Sequence, residues 1–576
     1  MNGAELLVST IRSHGVEHIF GLPGDTGMAF YDALYYEPAI THVMTRDERS
    51  ASFMADVYAR VSGRIGLCEG PSGGGATYIV PGVAEAHGSA IPMLCMTSDT
   101  PVAQQHWNVL TELDQVALFR PVTGWSERVL TPDAMGDAVR RSIRNALAGR
   151  PGASHLSLPS DVLEAQVATT IDRGEHDAVS DRFPRSRSRA DVTAIEQAAA
   201  LIAAAERPLI VAGGGVLASR AWDSLTTFTE TLGIPVGTSI NGKGSIAETS
   251  PVSLGVVGGN GARSYANGWV READLVLFIG TRTESTTTDA WTAPSRTSPP
   301  VTIHIDIAER EIGNTYPNAA FLHGDARATL DDLMAALHGD ARQIRKRAEG
   351  RLQTLEAQRV RYFDQIQMEA NSGGWPMKPQ RVVAEMRHVL NDDVVIVADP
   401  GTPTPYLGAQ FPLGKAGRTT VIPRAHGGLG YALPGVVGAA YAAGERRVIG
   451  MMGDGSFGMS VGELETISRL GLPVVLVQCA NQTFGWIKEL QHVYHDQRYY
   501  SVDFNGVAYA DIARGFGLDA VDIDSPDGFE PAFRQALESG RPTFINVQTE
   551  AQMTETPPVS SWERAVQAAG STEPAQ

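Results

Sequence analysis

Two oxygen-bearing side chains stand where they could share a cation. Asp454 lies in Gly453-Asp454-Gly455-Ser456, directly after the apolar run 448–452. Asn481 sits just past a second apolar run, 474–479, 27 residues beyond Asp454. A carboxylate and an amide carbonyl are hard oxygen ligands, suited to Mg²⁺ or Ca²⁺ shared with phosphate oxygens. Gly453 and Gly455 allow close backbone approach, and the amides that follow can take phosphate charge. A lone Gly-Asp-Gly also fits an ordinary strand–turn–helix with a solvated aspartate, since tripeptides recur by chance. The matching Asn481, with Thr483 two residues on, weighs toward a site. Glu48 is the second candidate, in Arg46-Asp47-Glu48-Arg49 at a strand–helix junction, where ligands of α/β sheets collect. Its plain alternative is a solvated first-turn carboxylate favoured by the helix dipole.

The elements that must position these groups are legible in outline. Residues 448–452 read as a buried strand ending at a glycine turn. Ser460-x-x-Glu463 is a capping-box signature ahead of a helix at 464–470, Gly471-Leu472-Pro473 ends it, and 474–479 is the next strand. A parallel crossover of this kind brings both strand ends to one sheet edge. Earlier, 3–14 has helical spacing, 16–20 reads as a strand, and Gly21–Gly27 is a turn that opens a helix at 28–34. That turn fits no Walker or dinucleotide fingerprint. A strand at 41–45 precedes a helix at 50–62, and 71–77 is a second Gly-rich loop. Residues 165–190 are charged and Arg/Ser-rich, an exposed linker. Strands at 208–211, 275–278 and 301–305 each end in Gly or Asp and imply another doubly wound sheet, with no G-x-G-x-x-G after any of them. Residues 333–368 read as a long charged helical segment joining domains, 394–398 as a fully apolar strand, and the tail after Met553 as mobile.

Bulk properties bound the class. A chain of 576 residues accommodates about three domains of ~150–200 residues. Its 43% apolar and 19% charged content is that of a globular enzyme. The net charge of −18, without a long basic run, argues against nucleic acid or an anionic membrane as partner. Cys68, Cys95 and Cys479 lack metal-type spacing and read as buried free thiols. With no signal-peptide core and no membrane-length apolar run, a cytoplasmic enzyme is expected.

GDGSF with Asn481-Gln482-Thr483 resembles the Mg²⁺–diphosphate signature of thiamine-diphosphate enzymes. TRDERSASFMADVYAR, flanked by FGLPGDTG and PSGGGAT, resembles their segment carrying the activating glutamate. The resemblance runs nearly the whole chain in family order and implies an α/β protein of three doubly wound parallel-sheet domains. These are a pyrimidine-binding domain at 1–170, a central domain at 190–345 and a diphosphate-binding domain at 375–555. It implies Asp454, the Asn481 side chain and the Thr483 carbonyl as Mg²⁺ ligands. Gly401, Thr402, Gly427, Gly453, Gly455 and Ser456 would hold the cofactor, with Leu429 wedged beneath it. Glu48 would share a proton with the aminopyrimidine and so help deprotonate the thiazolium carbon, a role that burial of the carboxyl assists. Asp25 becomes a substrate-side candidate and His426 a candidate proton shuttle. Because Glu48 and Asp454 serve one cofactor from different subunits in this family, a homodimer or homotetramer follows. Lys243-Gly244-Ser245 and 253–255 resemble the central domain of acetolactate synthase and leave FAD open there, although 282–285 departs from the usual stretch.

The departures bear on the reaction. Ala480 stands where the family often has a first Asn, and Val57 where it more often has Gly. Pro71 stands where decarboxylase relatives keep a proton-transferring His nearby, and Ile487 where pyruvate decarboxylases carry a protonating Glu. Decarboxylation of a 2-oxo acid followed by addition of the enamine to a second carbonyl, as in acetolactate synthase, is therefore expected over simple protonation. Leu110, Thr111 and Leu490 replace that enzyme's acceptor-side residues and point to a different acceptor. The alternatives are a decarboxylase or C–C lyase releasing an aldehyde, a flavin- or nicotinamide-dependent oxidoreductase, and a homologue that has lost catalysis. The oxidoreductase would need the missing fingerprint; Glu48, Asp454 and Asn481 argue against lost catalysis.

Overall fold

The computed structural model describes residues 1–168 and 181–570. Part of the expected linker, 169–180, and the last residues, 571–576, lie outside the described residues. The chain forms two compact units: Met1–Ser186, Pro423–Gly450 and Met459–Val474 make one, and Arg187–Ile422, Met451–Gly458 and Val475–Gln576 the other.

Strands covered by helices on both faces read as unbroken apolar runs, which is why 394–398, 208–211 and 474–479 are so plain in the sequence. Three six-stranded sheets result, with parallel pairing. The first contains β1 (His18–Gly21), β2 (Thr41–Met44), β3 (Gly66–Gly70), β4 (Met93–Asp99), β5 (Trp125–Arg128) and β6 (Ala153–Pro159), in the order 2-1-3-4-6-5. The second contains β7 (Pro208–Ala212), β8 (Val236–Thr238), β9 (Ser253–Val256), β10 (Leu275–Ile279), β11 (Val301–Asp306) and β12 (Ala320–His323), in the order 12-11-10-7-8-9. The third contains β13 (Val394–Ala398), β14 (Thr420–Val421), β15 (Arg447–Gly453), β16 (Val474–Ala480), β17 (Asp519–Ile523) and β18 (Thr543–Gln548), in the order 14-13-15-16-18-17. The first and third sheets thus share one winding pattern.

Order reverses between β1 and β3 in the first sheet and between β13 and β15 in the third. At such switch points the loops leave in opposite directions and open a crevice at the carboxyl ends of the strands. The second sheet has the winding of dinucleotide-binding folds, and at its switch point the loops after β7 and β10 touch backbone to backbone. A Cβ on Gly213 would lie 2.2 Å from the Gly280 carbonyl oxygen, and one on Gly215 2.6 Å from Gly280 Cα. The glycines after β7 serve this close backbone contact. Lys243 is also committed: it is buried, with its ammonium 2.6 Å from Glu248.

Three expectations are corrected. The capping box does not form: Gly462 stands at the N-cap of helix Glu463–Leu470, and Ser460 ends the preceding helix, Asp454–Ser460. The Glu463 carboxylate instead accepts from the Arg46 amide at 3.0 Å and the Thr466 hydroxyl at 2.7 Å. The long segment is two helices, Ala326–Ala336 and Ala341–Ala370. Among the described residues after Met553, 560–570 are ordered as helix Ser560–Gly570, whose Trp562 is buried 4.4 Å from the Trp486 ring, while Arg564 pairs with Asp289. Among the described residues no helix is long and apolar enough to cross a membrane. All three cysteines are buried free thiols.

Candidate active site

In the first unit the features gather at the β1/β3 switch point. Asp47 caps helix Glu48–Ser62 by accepting from the Arg49 amide at 2.7 Å, which places Glu48 as the first helical residue. Glu48 is 6% exposed, so it is not the solvated carboxylate of the plain reading. Burial raises its pKa. The charges of Asp47 and Glu69 act in the same direction, against a local backbone hydrogen bond. Gly70 and Gly75 make room for it, since a Cβ would lie 3.2 Å from Glu48 Cγ and 3.0 Å from Oε1 respectively. Glu69 was not anticipated. It is buried, accepts from the Tyr31 hydroxyl at 2.6 Å, and lies 3.0 Å from His42 Nε2. An acid inside an otherwise apolar strand was the available signal.

The two Gly-rich loops are tied together by hydroxyls. Thr26 Oγ1 lies 3.2 Å from Ser72 Oγ and 2.7 Å from Ser98 Oγ, and Ser72 Oγ lies 2.7 Å from Thr111 Oγ1. Asp25 is exposed beside them, accepting from the Thr26 amide at 2.9 Å. Pro71 packs its ring where Cβ atoms of Gly24 and Gly75 would fall, 2.3 and 2.4 Å away. Thr111, at φ +71°, crowds Gly73 in the same way.

His426 and Gly427 also belong to this unit and are exposed, while Leu429 is half-buried, not a core leucine. The amides of both His426 and Gly427 donate to Glu85, a buried acid that the sequence reading passed over. The Gly427 amide is therefore committed to the protein, leaving its carbonyl and its open Cα face for any ligand.

In the second unit the ends of β13, β15 and β16 carry the other half of the expected set. Asp454 is buried, with Oδ1 accepting from the Gly455 amide at 3.0 Å and Oδ2 from the amides of Asn481 at 3.1 Å and Gln482 at 2.6 Å. Burial raises its pKa, opposed by those three amides. Gln482 adopts φ +57° to deliver its amide, a conformation a non-glycine residue holds only under local constraint. Asn481 Nδ2 donates to Gln552 Oε1 at 3.2 Å, and Gln552 Nε2 donates to Thr402 Oγ1 at 2.8 Å. With its amide nitrogen so engaged, Asn481 keeps Oδ1 as an acceptor. Gln552 joins Asn481 to Thr402; no sequence signal marked it. Thr483 is buried, its carbonyl accepting from the Gly485 amide at 2.8 Å with a lone pair to spare. Gly401 and Thr402 are half-exposed ahead of helix Pro403–Gln410, and Ser456 is buried in the helix that Asp454 opens.

These residues fit an oxygen-coordinated cation carrying phosphate. One carboxylate, one side-chain amide and one carbonyl cannot complete a cation's shell, and among the described residues no three His, Cys, Asp or Glu side chains form a metal cage. The remaining ligands would come from a bound anion and from water. Gly455 is glycine for the protein's sake, as a Cβ would strike the Phe484 ring at 2.8 Å. Gly453 is not: its nearest neighbour would be 3.9 Å away, and its φ is not left-handed. The bare backbone there leaves room for a ligand.

Sequence comparison bears on the same residues. Residues 1–118 match the thiamine pyrophosphate enzyme N-terminal TPP binding domain, 195–333 the central domain, and 399–547 the C-terminal TPP binding domain. A "Probable acetolactate synthase large subunit" of Methanocaldococcus jannaschii is 33% identical over 558 residues, spanning 95% of this chain and 92% of the relative. Acetolactate synthase isozyme 3 large subunit of Escherichia coli is 28% identical, spanning 95% and 94%. A "Probable 2-ketoarginine decarboxylase" of Pseudomonas aeruginosa is 33% identical over 500 residues, spanning 85% and 84%. The chain belongs to the thiamine pyrophosphate enzyme family and is a thiamine-diphosphate-dependent enzyme similar to acetolactate synthase.

Proposed function

We propose that this enzyme decarboxylates a 2-oxo acid with the help of thiamine diphosphate and Mg²⁺ and joins the product to a second carbonyl compound. Bound thiamine diphosphate supplies a nucleophilic carbon and an electron sink that let a 2-oxo acid lose CO₂. Asp454, Asn481 Oδ1 and the Thr483 carbonyl would hold Mg²⁺. Gly401, Thr402, Gly453, Gly455 and Ser456 would receive the diphosphate, and Gly427 and Leu429 would meet the organic part. Glu48, kept more protonated by burial, would hold a proton at the aminopyrimidine ring. Asp25 and His426, both exposed, are the candidates for contact with substrate. By family resemblance, Glu48 and Asp454 of different subunits would serve one cofactor, in a homodimer or homotetramer with the domain limits given above.

The observation that carries the carboligation is Pro71. Its ring packs against Gly24 and Gly75, beside the Glu48 carboxyl, and makes an aprotic wall where decarboxylases keep a proton donor. Ile487 is aprotic as well.

The decarboxylase reading draws support from the 2-ketoarginine relative and from Glu489, a buried acid on the same helix as Ile487, Gly485–Tyr494. One experiment separates the two: purified protein with thiamine diphosphate and Mg²⁺ is given pyruvate and then other 2-oxo acids, with products followed by NMR and the visible spectrum inspected for flavin. A 2-hydroxy ketone is the expected product. Aldehyde alone would replace the carboligase with the decarboxylase, and absence of CO₂ release would remove the 2-oxo acid claim.

A further inference from the structure

Four successive backbone amides of the first unit converge on one buried carboxylate. Glu85 Oε1 accepts from Arg424 at 3.1 Å and Ala425 at 3.2 Å; Oε2 accepts from Ala425 at 3.2 Å, His426 at 2.7 Å and Gly427 at 3.2 Å. Glu85 has no exposed surface. Arg60 Nη2 pairs with it at 3.1 Å, and the Ser89 hydroxyl donates to it at 2.8 Å. Arg60 also pairs with Asp56 at 2.9 Å, and Asp56 accepts from the hydroxyl of buried Tyr431. Both ends of 424–431 are thus fastened to one charged network inside the unit.

Consecutive amides aimed at one point form a concave anion site, and here the protein supplies the anion itself. Burial works against the charged form of Glu85, but Arg60 and the donated hydrogen bonds outweigh it and hold the carboxyl below the usual range. Because a peptide unit is planar and trans, an N–H turned inward sends the carbonyl of the same unit outward. The carbonyls of 423–426 are therefore turned away from Glu85, on the side where His426 and Gly427 are exposed. Gly427 and Gly430, at φ +74° and +77°, then carry the chain past half-buried Leu429. Gly88 lets the segment come close, since a Cβ there would lie 2.7 Å from Ala425 Cβ. The outward face is a row of acceptors followed by an apolar side chain, complementary to an amino-substituted heteroaromatic ring.

We propose that Glu85 is a positioning residue for the cofactor: by drawing the 424–427 amides inward, it presets the face on which the amino-bearing ring is received. The proposal rests on the thiamine-diphosphate reading of the site. It differs from a stabilising role because its effect falls on one loop and on cofactor affinity, out of proportion to global stability.

The test compares wild type with Glu85→Gln, which retains size but turns an N–H₂ toward the loop amides, and with Asp56→Asn, which disturbs the same arginine and the Tyr431 end of the segment but none of the 424–427 amides. Amide hydrogen exchange is followed at 424–427 in the cofactor-free protein, thiamine diphosphate affinity by titration calorimetry with Mg²⁺, and global stability by thermal melting. Wild-type amides at 425–427 are expected to exchange slowly although the segment is irregular. Glu85→Gln should speed that exchange and raise the Kd about tenfold or more; Asp56→Asn should leave both near wild type even if its melting temperature falls as far. Should Glu85→Gln not fold, Glu85→Asp, which keeps the charge but withdraws it by one methylene, is expected to shift exchange and Kd in the same direction. Fast wild-type exchange at 425–427, or an unchanged Kd in the glutamine or aspartate variant, overturns the proposal. Failure of the wild type itself to bind thiamine diphosphate would instead strike the functional reading.

Discussion

Glu48 and Glu489 show what burial does to a carboxyl and why its consequences can be measured. Glu48 is held against Gly70 and Gly75 with its pKa raised by burial, the state a group needs if it is to share a proton at neutral pH. Glu48→Gln should leave thiamine diphosphate binding nearly intact and lower kcat by roughly 100- to 10,000-fold, read by steady-state assay beside titration calorimetry. Wild-type turnover would remove Glu48 from its role. Glu489 is 1% exposed, and neither carboxylate oxygen has a hydrogen-bond partner among the described residues. Burial pushes its pKa up to about 7. A carboxyl with a raised folded-state pKa binds more protons folded than unfolded, so its contribution to stability is lost as pH rises from its ordinary value through the raised one. Glu489→Gln should therefore flatten the fall in melting temperature between pH ~5 and ~8. Parallel wild-type and mutant curves would contradict the raised pKa.

At the scale of elements, the pairing of helices Glu48–Ser62 and Ala432–Ala443 depends on Gly438. A Cβ on Gly438 would lie 2.0 Å from the Met54 carbonyl oxygen, and a helix backbone cannot yield as a flexible side chain would. The Tyr431 ring packs 5.0 Å from Phe53 just before the second helix begins. Gly438→Ala should cost about 1–3 kcal/mol by overpacking, measured by chemical denaturation of the apoprotein. Because the first of these helices opens with Glu48, the same variant should lower kcat more than it weakens substrate binding. A neutral effect on stability would mean the helices move apart at no cost.

At the scale of the whole molecule, the second unit depends on a buried charge triad. Glu248 pairs with Lys243 at 2.6 Å and Arg263 at 2.7 Å, all three about 1% exposed or less at the side chain. Lys243 also donates to the Gly408 carbonyl at 3.2 Å and Arg263 to that of Ala409 at 3.1 Å, joining the second sheet's loops to helix Pro403–Gln410 beside Thr402. Burial lowers the Lys243 pKa and the Glu248 charge opposes it, so removing the carboxylate strands two cations. Glu248→Ala should destabilise the protein by about 3–5 kcal/mol, visible as a lower denaturant midpoint. A loss under ~1 kcal/mol would mean that water reaches the triad.

The fold class was legible because parallel strands buried on both faces are continuous apolar runs with glycine or acidic ends, as at 394–398 and 448–452. Asp454 and Asn481 stood out as strand-end candidates by residue type and spacing, whereas Glu48 became a candidate through the family resemblance. The failed capping box shows the limit. Ser460-x-x-Glu463 is a local pattern, yet Glu463 is taken by the Arg46 amide, and no local rule anticipates a partner from another element. Glu85, Glu69 and Gln552 escaped for the same reason: each acts on groups far away in the chain, so its role exists only once folding has brought them within hydrogen-bond reach. The sequence by itself determined the sheets and the cofactor class, and it put the candidate ligands at strand ends. Tertiary structure decided which amides were already spent, which glycines served packing and which left room for a ligand, because those depend on distances between segments that spacing along the chain does not encode.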